Sequence, residues 1–300
     1  MAGFSGHDDF LVSTTTDGKK QVLDFSRTLV TGATSAAGRW HEAMSGAGTG
    51  GPLTLTGTAG VGVACTRSTA GALPLNADVS PDTRHLLQAN VITSSTTAVP
   101  GYVLLTDIIH MYRSCVVVTT PSTLSNHPVW TGTGDTRMTN AVGVQASFLL
   151  TTASSAAGQI TATYVNSAGT GGRTTAAPSG SVFGPVAATP AGCFLNQTAV
   201  TATTGGLFMP MAAGDVGVQQ VTSYAINANA TGGSMCIILH RPIAWIPVAV
   251  ANSASVMDFY TGVGTLPRIY DDSCLAIISR VGGAYAANGV LEGQLTYGWS

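Results

Sequence analysis

The chain has 300 residues with 37 glycines; 45% of residues are apolar, only 9% are charged, and the net charge is −2. Disorder as the main state needs low hydrophobicity and high net charge, so this composition excludes it. Nucleic-acid binding needs clustered Lys and Arg, and the 12 basic residues scattered along the chain argue against such a partner.

The N-terminus, Met1 to Phe10, lacks a basic stretch followed by an apolar one, so no export signal is expected and synthesis is assigned to a cytoplasm. Asp8–Leu11 can form one helical turn, with the Asp8-Asp9 pair as capping residues. A strand is expected over Gln21–Val30, followed by a Gly/Ser/Ala-rich loop at Ser45–Gly51. Residues 1–51 are therefore read as an N-terminal arm plus strand and Gly-rich loop, and 52–300 as the body.

Lysine occurs only at positions 19 and 20, and glutamate only at 42 and 292. Lys and Glu, good helix formers, are thus scarce where Thr, Val and Gly abound, which argues against long solvent-facing helices and predicts a mainly β chain. Strands are expected at Leu53–Thr56, Val61–Thr66, Val116–Thr120 and Val144–Thr151. Val103–Arg113 puts Leu104, Ile108 and Met111 on one stripe with Asp107 and His110 nearby, which suits a short helix or a buried strand equally, a tie that Asp107 and the Val-rich segment after it break only weakly. Gln159–Asn166 alternates in period 2, Asn166–Gly172 supplies a turn, and Arg173 starts a return strand within a long loop from Ser167 to Gly184.

Further strands are expected at Val216–Tyr224, Met235–His240, Leu275–Arg280 and Val290–Trp299. The most apolar stretch, Met235–Ala251, is broken by His240, Arg241, Pro242 and Pro247, short of the roughly 20 residues a membrane span requires. No membrane partner is expected. Strands at this density predict an antiparallel β-sandwich, jelly-roll-like, with at most one or two short helices.

Chemistry-bearing motifs are weak. Gly3-Phe-Ser-Gly-His7 departs from the nucleophile-elbow pattern at its last position, and Gly60–Cys65 lacks the third glycine and the downstream acid of a dinucleotide loop. Asp107 and His110 supply half a metal site at best, and Tyr270-Asp-Asp272 reads as a capped turn. Five cysteines stand singly, so they are read as small buried hydrophobes without disulfides or zinc. No cofactor, metal or catalytic residue is assigned, and the chain is read as non-enzymatic. Short, uncharged side chains lose little entropy on packing and suit large interfaces, for which Phe10, Phe25, Arg39 and Trp40 are candidate anchors.

Several blocks resemble, in order, successive stretches of tailed-bacteriophage virion structural proteins. They are Met1–Phe10, Ala36-Ala-Gly-Arg-Trp-His-Glu42, Pro100–Asp107, Gln159–Thr175, Gly206–Asp215, Leu266–Asp272 and Leu295–Ser300. The resemblance implies a virion component, auxiliary or decoration-type, on the outside of the head and present in many copies. Its implied partners are further copies of itself, as a trimer, and the major capsid protein or other virion proteins. The alternative it leaves open is a tail, baseplate or host-binding component.

Overall fold

The computed structural model describes residues 4–29, 38–76, 78–95, 99–130, 137–152, 160–175, 192–195, 197–201, 204–226, 233–263, 265–283 and 289–300. The chain opens with helix α1 (His7–Leu11), prolonged by a wider turn over Val12–Thr16. The first strands are β1 (Lys20–Thr28), β2 (Trp40–Glu42), β3 (Gly62–Ala64), β4 (Arg84–Thr93), β5 (Gly101–Val116) and β6 (Ser122–Thr123). Next come β7 (Gln145–Leu150), β8 (Ile160–Asn166), β9 (Arg173–Thr174), β10 (Gln197–Thr201), β11 (Thr204–Gly206) and β12 (Val218–Ile226). The last are β13 (Ser234–Val248), β14 (Ser255–Asp258), β15 (Arg268–Ile269), β16 (Cys274–Arg280) and β17 (Val290–Trp299). No helix among the described residues is long and apolar enough to cross a membrane.

The long strands nest antiparallel. β4 pairs with β17, β5 with β16, β7 with β13 and β8 with β12, as in one long hairpin folded over on itself, which is how a jelly roll is wound. β5 also pairs with β13 along its whole length, which joins the two arms of that hairpin into one central sheet, β2-β16-β5-β13-β7, with β3 continuing the line of β16 along β5. Two smaller sheets, β1-β17-β4-β14 with β15 on β4, and β6-β12-β8-β9, complete the sandwich.

Alternate residues of β5 and β13 explain the layering, because successive side chains in a strand point to opposite faces. Val103, Leu105, Ala244 and Ile246 pack against Phe25, Leu86, Val91 and Leu295 of the β1/β17/β4 sheet. Further along the same face, Ile109, Tyr112, Ile237 and Leu239 pack against Ile160, Tyr164, Val221 and Tyr224 of the β8/β12 sheet. The opposite face, with Leu104, Ile108, Ile238 and Ile278, is covered by Met44, Leu53, Cys65, Phe194 and Leu207 from connecting loops. The protein is thus an antiparallel β-sandwich with two facing cores on one shared sheet.

The segment Val103–Arg113 is strand and not helix: it is the middle of β5. Both of its faces are buried, which erases the alternation that marks a half-buried strand and leaves an apolar run that periodicity cannot distinguish from a helix. Leu53–Thr56 joins no sheet, and β5 ends at Val116, so the strand expected over Val116–Thr120 does not form. Pro242 and Pro247 lie within β13, beyond His240, where β7 stops pairing and β13 becomes an edge. A missing N–H is tolerated there.

Residues 4–16 lie on the outer face of the β1/β17/β4 sheet. Phe10 stacks on Tyr260 at 4.0 Å between ring centroids, and Phe4 meets Phe10 edge to face at 5.2 Å. Gly298 makes room for them: a Cβ there would stand 3.1 Å from Thr14 and 3.3 Å from Phe4. β1 follows, bonded to β17 from Lys20 to Thr28, so this strand shares a sheet with the end of the chain, while β2 joins the central sheet. Val30 and the second half of the expected Ser167–Gly184 loop lie outside the described residues. The turn from Asn166 takes the expected form, with the Asn166 side chain accepting from the Ala168 and Thr170 N–H groups and Gly169 and Gly172 at positive φ.

Candidate functional site

Charged side chains distant in sequence converge where the two facing cores part. Asp107 is the β5 residue between Leu105 of one core and Ile109 of the other, and it is fully buried. Its Oδ1 accepts from Arg137 Nη1 at 3.0 Å and from the Cys274 backbone N–H at 2.9 Å, while Oδ2 accepts from the Ser273 hydroxyl at 2.8 Å. Arg241, opposite Asp107 in the β5–β13 ladder, brings a second guanidinium to 3.9 Å. Burial pushes the Asp107 carboxyl pKa upward, and Arg137 leads the groups that pull it down.

Arg137 has a local reason to be there. β3 and β16 meet end to end along β5, and at that junction Arg137 donates to the Cys65 and Asp272 carbonyls, at 2.8 and 3.1 Å, the latter also accepting from the Arg67 N–H. One guanidinium with five donors in a fixed fork therefore closes a break in the sheet edge.

Outward from this pair lies a cleft of about 220 Å³ lined by Asp82, Thr83, Arg84, Arg137, Arg268, Tyr270, Asp271 and Asp272. Arg84 is buried and pairs with Asp271 at 3.5 Å. The guanidinium carbons of Arg268 and Arg241 lie 4.4 and 4.9 Å from the Tyr270 ring centroid. At the rim, Arg67 pairs with Asp78 and Lys19 with Asp82. The turn expected at Tyr270-Asp-Asp272 is present, closed by Ser273 donating its N–H to the Tyr270 carbonyl and its hydroxyl accepting from the Tyr270 N–H. Each cation here faces a carboxylate or a ring, so the arrangement acts as an ionic staple between the two halves of the sandwich. No group of three His, Cys, Asp or Glu side chains suited to a metal ion occurs among the described residues.

Two buried constellations escaped the sequence reading because their members are about one hundred residues or more apart. The His240 ring lies 2.9 Å from the Thr106 hydroxyl and 2.8 Å from the Ser147 hydroxyl, one on each nitrogen. A neutral imidazole donates to one hydroxyl and accepts from the other, which then turns its single proton to the ring and away from the carbonyl it also reaches, Arg241 for Thr106 or Leu207 for Ser147. The ring is entirely buried, and burial holds its pKa down to about 3. The Cys193 thiol lies 3.3 Å from His41 Nδ1, but burial pushes that thiol up to about 12. It is a thiol at neutral pH, whereas nucleophilic attack needs the thiolate. Asp107 and His110 do not form a pair: His110 bonds the Asn126 carbonyl at 2.9 Å instead.

The four expected interface anchors are not brought together. Phe25, Arg39 and Trp40 are buried within this chain's own structure, Phe25 in the core under β4 and β17 and Trp40 against Leu104 and Ile278. In the single chain their side chains are enclosed by its own residues. Phe10 is half-buried, its ring already covered on one side by Tyr260. All five cysteines are buried and free, in line with their reading as small hydrophobes.

No protein-family model matches the chain, and no curated protein matches it. A solved structure, the infectious bursal disease virus VP2 subviral particle, aligns at 11% identity over 97% of this chain and 86% of that one, with a TM-score of 0.15. A likeness that slight carries no argument.

Proposed function

We propose that the chain is a non-enzymatic structural component of a tailed-bacteriophage particle, a head decoration protein that trimerises on the major capsid protein. The observation that carries this reading is the distribution of charge. Of 12 basic and 14 acidic residues, Arg27, Arg39, Glu42, Arg84, Asp107 and Arg137 are buried, which thins an already sparse outer charge further. An ordinary domain of this length carries roughly 25% charged residues, most of them outside. Here the exterior offers hydroxyls, backbone and apolar side chains instead, among them Val129, Val142, Val216, Val250 and Val256 at 49–60% exposure. Such faces order at low entropic cost, and about 25 cal/mol is gained per Å² of apolar surface removed from water.

Light scattering on the purified chain and copy counting by mass spectrometry on particles test this. A trimer in solution and hundreds of copies per particle are expected. A few copies to a few dozen would move the protein to the tail or baseplate, and a monomer that joins no particle would overturn the proposal.

A further inference from the structure

Among the described residues, Tyr102 and Trp245 are the aromatic side chains left largely exposed, at 47% and 40%. Both stand on the loop-covered face of the central sheet, at the end that the described loops leave uncovered. Tyr102 is opposite Pro247 and Trp245 opposite Leu104 in the β5–β13 ladder, so the two rings are diagonal cross-strand neighbours. Such neighbours sit about 7–8 Å apart, within reach of one ligand.

The platform is braced. Trp40 meets the Trp245 ring edge to face at 5.4 Å, and Phe208 meets it at 6.1 Å. Arg280 is opposite Tyr102 in the β16–β5 ladder; its guanidinium lies 5.9 Å from the Trp40 ring centroid and its Nε donates to the Gly38 carbonyl at 3.4 Å. Between Tyr102 and Arg280 opens a cleft of about 170 Å³ floored by Gly38, Gly101 and Gly282. A Cβ on Gly282 would stand 2.1 Å from the Pro100 carbonyl oxygen, so only glycine allows that wall.

We propose that Tyr102, Trp245 and Arg280 form a saccharide-binding site. A sugar ring has an apolar C–H face that stacks on an aromatic ring and a rim of hydroxyls or carboxylates that a guanidinium can bond in pairs. The neighbours of the two rings are the exposed Pro247, the half-buried Arg280 and, just past the strand, the small Ala249, which is too little continuous apolar area for a protein partner. One arginine on a chain of net charge −2 is also too little for a nucleic acid. The inference does not rest on the particle reading and holds for head or tail alike.

Titrating the intact protein with maltohexaose and with an oligogalacturonate hexamer, and probing a printed array of bacterial surface glycans, tests it by tryptophan fluorescence and array signal. Saturable binding of at least one glycan is expected, weakened tenfold or more in Tyr102→Ala and in Trp245→Ala, and unchanged in Val250→Ala as a surface control. Arg280→Gln separates the arms: a selective loss for galacturonate assigns the guanidinium to a carboxylate, and an equal loss for both assigns it to hydroxyls. Both variants replace exposed rings, and an unchanged thermal transition confirms that they are folded. No binding to any glycan, or binding that survives the loss of both rings, overturns the proposal.

Discussion

His240 is a proton acceptor that the fold refuses to charge. Its pKa is about 3 in the folded protein against about 6.5 in an unfolded chain, so below pH 6.5 the unfolded state binds a proton that the native state does not. Stability falls with pH through the window from 6.5 to 3, by about 1.4 kcal/mol per pH unit from this residue. Urea unfolding at pH 7 and pH 4.5 should show a shallower pH dependence in His240→Gln than in the parent, by close to one proton; an equal slope would rule His240 out. Asp107 behaves differently. Removing it in Asp107→Leu strands a buried Arg137, and breaking a buried pair in this way costs about 3–5 kcal/mol, readable as a lower urea midpoint at unchanged slope. Sequence alone placed the five cysteines correctly because each could be judged by itself. The staple and the His240 relay were invisible because each depends on which strands become neighbours, and nothing in a spacing such as 107 to 137 to 241 encodes that.

At the scale of elements, legibility followed burial. β1 and β8 cover a core with one face and alternate in sequence, β12 and β17 do so in part, and β7 and β16, buried on both faces, read as short apolar runs; the expected ranges of all six match the observed ones within two residues at each end. The exceptions are β5, buried on both faces, and β13, which runs through two prolines that would end a central strand. β4 went unread; its one-residue bulge against β17 at Thr296/Tyr297 shifts the alternation midway. The same β17 owes its fit to Gly293, where a Cβ would stand 2.1 Å from the Asn90 carbonyl and 2.7 Å from the Phe25 ring. Gly293→Ala should therefore destabilise by about 1–3 kcal/mol, the usual range for overpacking, measured by thermal unfolding. Residues 4–16, by contrast, are detachable: α1 buries no side chain, and among the described residues their backbone bonds reach no further than Lys19, whose N–H donates to the Ser13 carbonyl. A chain starting at Gly18 should keep its far-ultraviolet circular dichroism and melt within a few degrees of the parent, while one starting at Leu29 loses β1 and should not fold.

For the whole molecule, the two facing cores share β5 and β13, so neither can melt alone without stripping a face of the other's sheet. Phe148→Ala in one core and Leu86→Ala in the other should each lower a single common transition, by about 3–5 and 2–5 kcal/mol respectively. Trp130, packed on the β8/β12 core, and Trp299, at the end of β17, report on the two halves; two separate transitions in single-tryptophan variants would show that the halves are independent. Assembly has its own test at this scale. Val142 and Val216 stand on adjacent loops joined by the Gly143 N–H to Val216 carbonyl bond, both exposed, and replacing both by Asp should dissociate the proposed trimer without lowering monomer stability.

The β5–β13 ladder has a mechanical meaning as well. It runs from Gly101 paired with Val248 to Val116 paired with Ser234, the full length of both strands. A load pulling the two ends of the sandwich apart acts along these strands and meets all their rungs in shear together, where a load across them would unzip one rung at a time. A part built this way is stiffest along one axis, and a wall tiled with it would resist swelling from within best when that axis lies in the plane of the wall.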